Sequence, residues 1–204
     1  MYVTEYRMFD SLFRDNNKMI KNSDTSFGIV NIAIHWITAL LVFGLFGVGL
    51  WMVDLSYYSE WYRTAPDLHK SFGLTLLALT LFRIIWKLIN PSPKALSSNK
   101  LETIAGKLAH FGIYALLLTI MVSGYLISTA DGRGIEWFWL FEVASLGEFV
   151  PNQEDIAGDI HEWSAYILIG LVVVHIIAAL KHHFIDKDKT LVRMVKVQTE
   201  EQKD

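Results

Sequence analysis

Apolar residues gather into four stretches along the chain, 29–53, 68–89, 104–127 and 160–180, separated by polar and aromatic segments. Each is near the ~20 residues that carry a helix across about 30 Å of hydrocarbon. In segments such as 40–50 the apolar residues run all round the helix without a polar stripe, which argues against a water-soluble bundle. Backbone groups in lipid must bond within their own segment, so the four stretches are helices. The expected fold is all-α, a four-helix transmembrane up-down bundle.

Charge sets the orientation. With both termini inside, every basic residue except Arg63, Lys70 and Arg133 lies on the cytoplasmic side or at the inner helix ends. That is the positive-inside distribution. Glu136, Glu142, Glu148, Glu154, Asp155 and Asp159 crowd the outer connection between the third and fourth spans. The chain therefore divides into a cytoplasmic arm, 1–26, a transmembrane domain, 27–184, and a cytoplasmic tail, 185–204. The arm lacks a basic segment running directly into a short apolar core, so it does not read as a cleaved signal peptide. Its Met8, Phe9, Leu12 and Phe13 suit a short interfacial helix, set against a plain polar arm. Mean hydropathy is +0.33.

Each span carries histidine or a cation, and ionisable residues in a span point to function. His161 and His175 are fourteen residues apart, roughly 21 Å along a helix, and project from nearly one face. Two histidines on one face, one near each surface, suit a helix that holds two haems stacked across the bilayer. Depth pairs His69 with His161 near the outer surface. Three histidines, His35, His110 and His175, share the inner depth. His175 is favoured there by its register with His161, and its partner is His35 or His110. The bland alternative for any one of them is a hydrogen bond between helices; matched depths and the fourteen-residue repeat weigh against it. Cysteine is absent, so any haem is non-covalent and histidine is its expected axial ligand.

Arg83 lies at the inner-histidine depth, either snorkelling or pairing with haem propionates through its bidentate fork. Lys70 follows His69 at the outer end, where an outer haem's propionates would emerge. His182 and His183 read as interfacial groups beside Lys181. Gly44, Gly47, Gly49 and Gly73 read as helix-packing positions. Tyr57, Tyr58, Trp61 and Tyr62, with Trp137, Phe138 and Trp139, form an aromatic belt. The connection 130–159 is long, and its GRGIEWFWLF segment is a candidate to fold back over the outer site.

The stretch from about Phe27 to Met194 resembles the bacterial cytochrome b561 family of four-helix, di-haem membrane proteins. It is more distantly similar to the cytochrome b subunits of membrane hydrogenases and formate dehydrogenases. The motifs are AIHW (33–36), LHKSFG (68–73), FRIIWKL (82–88), LAHFGIYALL (108–117), SGYLIST (123–129), DIHEW (159–163) and KHHFIDKDKTLVRM (181–194). The last is the most specific. The resemblance implies that His35 and His175 ligate a cytoplasmic-side haem b and His69 and His161 a periplasmic-side one, through iron. It leaves His110 as a quinone- or propionate-side residue. It also implies ubiquinone or menaquinone as a further cofactor, a periplasmic protein partner for the outer loop, and the bacterial inner membrane as location. No nucleic-acid partner is expected.

The expected function is electron transfer across the membrane between a periplasmic donor or acceptor and the quinone pool. Some proteins of the resembling family oxidise superoxide while reducing quinone, and Lys70, Arg63 and Arg133 would attract that anion, whereas the acidic outer connection opposes it. The alternatives are a haem-carrying anchor subunit of a dehydrogenase and a haem-free transporter with a histidine relay.

Overall fold

The computed structural model describes residues 19–97 and 99–196. The proposed interfacial helix at Met8–Phe13 and the last residues of the tail lie outside them. Four long helices dominate: α1 (Ile29–Val53), α2 (Thr64–Ile89), α3 (Lys100–Thr129) and α4 (Gln153–Phe184). All four are long and apolar enough to cross a membrane. Between α3 and α4 lies a two-stranded antiparallel hairpin, β1 (Ile135–Trp137) and β2 (Phe141–Val143). A single 3-10 turn, Val192–Met194, follows α4.

Three helices run past their apolar stretches. α2 starts at Thr64 rather than 68, α3 spans Lys100–Thr129 rather than 104–127, and α4 spans Gln153–Phe184 rather than 160–180. Hydropathy marks only the part of a helix that meets lipid, whereas caps and end charges set where the helix stops. The Asn99 side chain accepts from Leu101 N at 2.9 Å and starts α3. Glu154 and Asp155 occupy the first turn of α4 and Lys181, His182 and His183 its last, complementing the helix dipole. α2 ends at Ile89 with Asn90 as its cap, before Pro91, which cannot continue it.

The bundle packs in chain order, α1 on α2, α2 on α3 and α3 most closely on α4. Its centre is one apolar layer to which all four helices contribute: Val42, Leu76, Leu117, Met121 and Leu168. Outward, Leu40, Leu88 and Phe111 are each more than 70% exposed, an arrangement suited to lipid and costly in water. The inner end is tied by polar contacts among segments distant in sequence. Asn22 donates to the carbonyls of Asn90 and Pro91 at 3.3 and 3.1 Å, and accepts from Gly28 N at 2.9 Å. A Cβ at Gly28 would collide with the Ile20 carbonyl, so the start of α1 needs glycine there. Trp36 Nε1 donates to Met194 O at 2.6 Å, and Arg193 Nη1 to Lys94 O at 3.0 Å, strapping the post-α4 segment across the same face.

Gly44, Gly47 and Gly73 are corrected as packing positions. A Cβ on any of them would meet nothing within 4 Å. Gly49 alone of that set touches a neighbouring helix, and what it touches is the ring of His69.

Candidate functional site

His69 on α2 and His161 on α4 face each other with ring centroids 6.2 Å apart and planes at 66°. At the inner end His35 on α1 and His175 on α4 stand 6.5 Å apart at 65°. Two imidazoles bound through nitrogen to opposite sides of one metal, at about 2 Å each, put their ring centres roughly 6 Å apart. Both centroid separations match that distance. His110 and His175 are closer, at 5.1 Å, a separation that suits direct ring contact. The inner cluster thus contains all three histidines that share that depth, and the geometry within it is unequal.

Second contacts reinforce the fit at the outer pair. His161 Nδ1 donates to the Ile120 carbonyl at 2.8 Å. With the proton held at Nδ1, the Nε2 lone pair is the one free to bind a metal. A metal-binding histidine ordinarily has its other nitrogen fixed in this way. Ser123 Oγ lies 3.4 Å from the same Nδ1. Glycine backs both outer rings. A Cβ at Gly124 would stand 3.0 Å from His161 Cε1, and one at Gly49 would stand 3.4 Å from His69 Cε1. His69 Nδ1 is buried with no hydrogen-bond partner among the described residues.

At the inner pair the backing groups are polar. Arg83 turns inward instead of snorkelling: Nη2 donates to His35 Nδ1 at 3.1 Å, which puts that ring's proton on Nε2, so binding a metal through Nε2 requires this contact to be released. The guanidinium also sits over the Tyr114 ring at 5.5 Å, and Lys87 approaches the same ring at 5.4 Å. A cation near an aromatic face inside the bundle is held by the ring's negative quadrupole.

A seven-residue rule underlies these contacts. His35, Val42 and Gly49 are evenly spaced on α1, as are His69, Leu76 and Arg83 on α2. On α3 the series is His110, Leu117 and Gly124, and on α4 His161, Leu168 and His175. Seven residues are nearly two turns, so each series stays on one face. The middle members are the apolar core layer, and the end members make the two sites. Tyr114, Ser123, Ile120, Gly49 and Gly124 were not marked as site residues by depth or motif. The sevenfold spacing from the histidines was the signal available for the two glycines.

The outer cations are mostly engaged. Lys70 Nζ pairs with Asp67 at 2.8 Å, and Arg133 hydrogen-bonds Asp131 through Nε at 2.7 Å. That contact holds the Asp131 carboxyl below the usual carboxylate range and raises Arg133. His182 Nδ1 lies 2.9 Å from Asp188, and Lys181 bridges Glu102 and Asp186 at 2.9 and 2.8 Å. These form a polar knot at the inner surface, with His182 seven residues beyond His175.

The GRGIEWFWLF segment does fold back. Trp137 Nε1 donates to Thr75 Oγ1 at 3.0 Å, and Phe138 N donates to Ser71 Oγ at 3.0 Å. The hairpin thus rests on α2 within two turns of His69.

A family model for prokaryotic cytochrome b561 matches residues 26–196. The chain is 45% identical to cytochrome b561 homolog 2 of Escherichia coli strain K12, over 85% of this chain and 93% of that protein. It is 30% identical to cytochrome b561 homolog 1 of the same organism, over 83% of this chain and 96% of that one. It is also 30% identical to a probable superoxide oxidase of Yersinia pestis, over 83% and 95% respectively.

Proposed function

This chain belongs to the prokaryotic cytochrome b561 family, and we propose that it passes electrons across the membrane between a periplasmic reactant and the quinone pool. It is a b-type cytochrome of electron transport and a multi-pass protein of the bacterial inner membrane. In our reading it holds two haems b, one between His69 and His161 and one between His35 and His175. The observation that carries the proposal is the separation of the two pairs, 6.2 and 6.5 Å, on helices that cross the bilayer. A haem held by two imidazoles exchanges single electrons and keeps no open position for oxygen.

The chain's own residues would then have separable tasks. The Ile120 carbonyl orients His161, and Gly124 lets the His161 ring approach α3. Val42, Leu76, Leu117, Met121 and Leu168 keep water out of the space between the sites. Arg83 is the proposed partner of the inner propionates, because its fork matches a carboxylate. Lys70 is the corresponding outer candidate, competing with its present bond to Asp67. His110, with Lys87 beside Tyr114, supplies hydrogen-bond donors where a quinone head, ubiquinone or menaquinone, would dock near the inner leaflet. A periplasmic protein is the proposed partner of the outer loop.

A second reading makes superoxide the periplasmic reactant. The similarity to the Yersinia protein supports it, and the engagement of Lys70 and Arg133 by carboxylates opposes it. The test of the main proposal is a reduced-minus-oxidised spectrum with a haem-to-protein ratio. Two b haems per chain are expected. A colourless protein, or one haem insensitive to both pairs, would overturn it.

A further inference from the structure

The turn of the β1–β2 hairpin places two bulky residues in the left-handed region, Phe138 at φ 47° and Trp139 at φ 59°. Such residues rarely adopt that conformation, so neighbouring structure must hold them there. The holding contacts are visible. Ser71 Oγ accepts from Phe138 N at 3.0 Å, and its one hydrogen is shared between the Asp67 carbonyl at 2.9 Å and the Glu136 carbonyl at 3.2 Å. Leu140 N donates to Trp137 O at 3.0 Å, closing the turn. The Phe138 ring meets Phe72 edge-on at 4.9 Å. The strands pair in register, Glu136 with Glu142 and Trp137 with Phe141.

These contacts fix the depth of the tip. Ser71 is three residues inside the start of the apolar stretch at 68, roughly 4.5 Å along the helix. Thr75, which the Trp137 indole reaches, is deeper by a further turn. Phe138 N, Leu140 N and the Glu136 and Trp137 carbonyls are bonded in the turn, and the boundary between headgroups and acyl chains leaves water for its other backbone groups, which hydrocarbon would not. Yet the tip is not covered by protein: Trp139 is 59% exposed, Leu140 74% and Phe141 56%. The run 137–141 has no charged residue, while the opposed carboxylates Glu136 and Glu142 stand exposed at its base. Like charges face each other in a strand pair at least cost where water screens them. The apolar tip continues into the exposed side of α2 through Phe72, part of the surface the spans present to lipid.

We propose that Trp139, Leu140 and Phe141 are seated in the outer lipid leaflet and anchor the connection between α3 and α4 to the bilayer surface. The occupant of this surface is lipid, on three grounds: the depth set by Ser71 and Thr75, the lack of charge, and continuity with the lipid-facing helix surface. Aromatic and aliphatic side chains at the boundary between headgroups and acyl chains bind there through their buried apolar area. The proposal does not depend on the haem assignment.

The chain has no cysteine, so Leu140→Cys gives one labelling site in the full-length protein. A nitroxide on it, in phosphatidylcholine vesicles, reports collisions with dissolved oxygen and with a water-soluble nickel chelate. The references are labels at Leu40, 73% exposed on a span, and at Arg133, whose side chain is 86% exposed in the outer connection. The Leu140 label should favour oxygen over nickel by several-fold relative to the Arg133 label and approach the Leu40 ratio. An Arg133-like ratio would put the tip in water, open to a protein partner, and would overturn the proposal. Phe141→Cys repeats the measurement. Quenching by brominated lipids, lost in part in Trp139→Phe, reads the same placement in a variant that keeps its bulk; equal quenching in both proteins would count against it.

Discussion

The ring of His161 lies so close to Gly124 that a Cβ on the glycine would stand 3.0 Å from Cε1 and 3.1 Å from Nδ1. Gly124→Ala should therefore push the imidazole off its bond to the Ile120 carbonyl and reduce retention of the outer haem. The helix itself gains up to about 1 kcal/mol from the replacement, which makes loss of haem without loss of fold the expected pattern. Gly49→Ala meets His69 at 3.4 Å, an ordinary contact, and should be tolerated. Haem-to-protein ratio and helical circular dichroism on both variants check this; equal haem loss in the two would contradict it.

His69→Ala and His161→Ala should each remove one and the same b haem, lowering the haem-to-protein ratio by half and leaving the other signal intact. Redox titration of each variant reads which component is missing. Loss of different components in the two variants would break the pairing.

His35→Ala and His175→Ala should abolish the inner haem, because their rings have the 6.5 Å separation of a shared metal. His110→Ala, whose ring touches His175 at 5.1 Å, should keep both haems and slow quinone reduction several-fold. The spectrum and the rate are measured on the same preparations. Inner-haem loss in His110→Ala, with His35→Ala unaffected, would reverse the assignment.

Electron entry from the outer face is tested in vesicles containing quinone, with a membrane-impermeant reductant added on that side. His175→Ala should reduce quinone at a small fraction of the unmodified rate. An unchanged rate would place the quinone at the outer site.

The strap across the inner face carries a pH expectation. Burial tends to raise the Asp188 carboxyl, but hydrogen bonds from Thr190 and His182 outweigh it and hold the group below the ordinary range. A depressed carboxyl stabilises the fold above its unfolded value, near 3.9, and that contribution fades as pH falls through the lower folded value. Proteolysis of the segment after α4 should therefore be faster for Asp188→Asn at neutral pH, and the difference from the unmodified chain should shrink in strong acid.

The four spans are legible in the sequence because lipid demands apolar residues all round a helix, as 40–50 on α1 has. The outer pair is legible because His69 and His161 sit at equal depth. The helix ends are not: α4 begins at Gln153 amid polar residues that hydropathy assigns to the loop. The fold-back of 132–141 is legible from its aromatic residues, but its strand pairing is not, and its seat depends on Ser71 and Thr75, more than sixty residues away. Depth counting also leaves the inner trio undivided. The structure brings both His35 and His110 to His175, and the lateral order of the helices that does so is contained in no periodicity along a single helix.

The even spacing from His161 through Leu168 to His175, repeated on the other three helices, has a consequence for how such a molecule can change. One residue inserted between Leu168 and His175 would swing the inner ligand about 100° around its helix and lift it by about 1.5 Å, out of reach of His35. Only a whole further step of seven, made in all four helices together, restores the facing sides. On the proposed assignment the gap between the two haem sites would then be quantised, with an increment of roughly 10 Å. Because electron tunnelling rates fall steeply with distance, a chain built this way would tune transfer between the proposed haems by what surrounds each site, with the spacing between the sites locked.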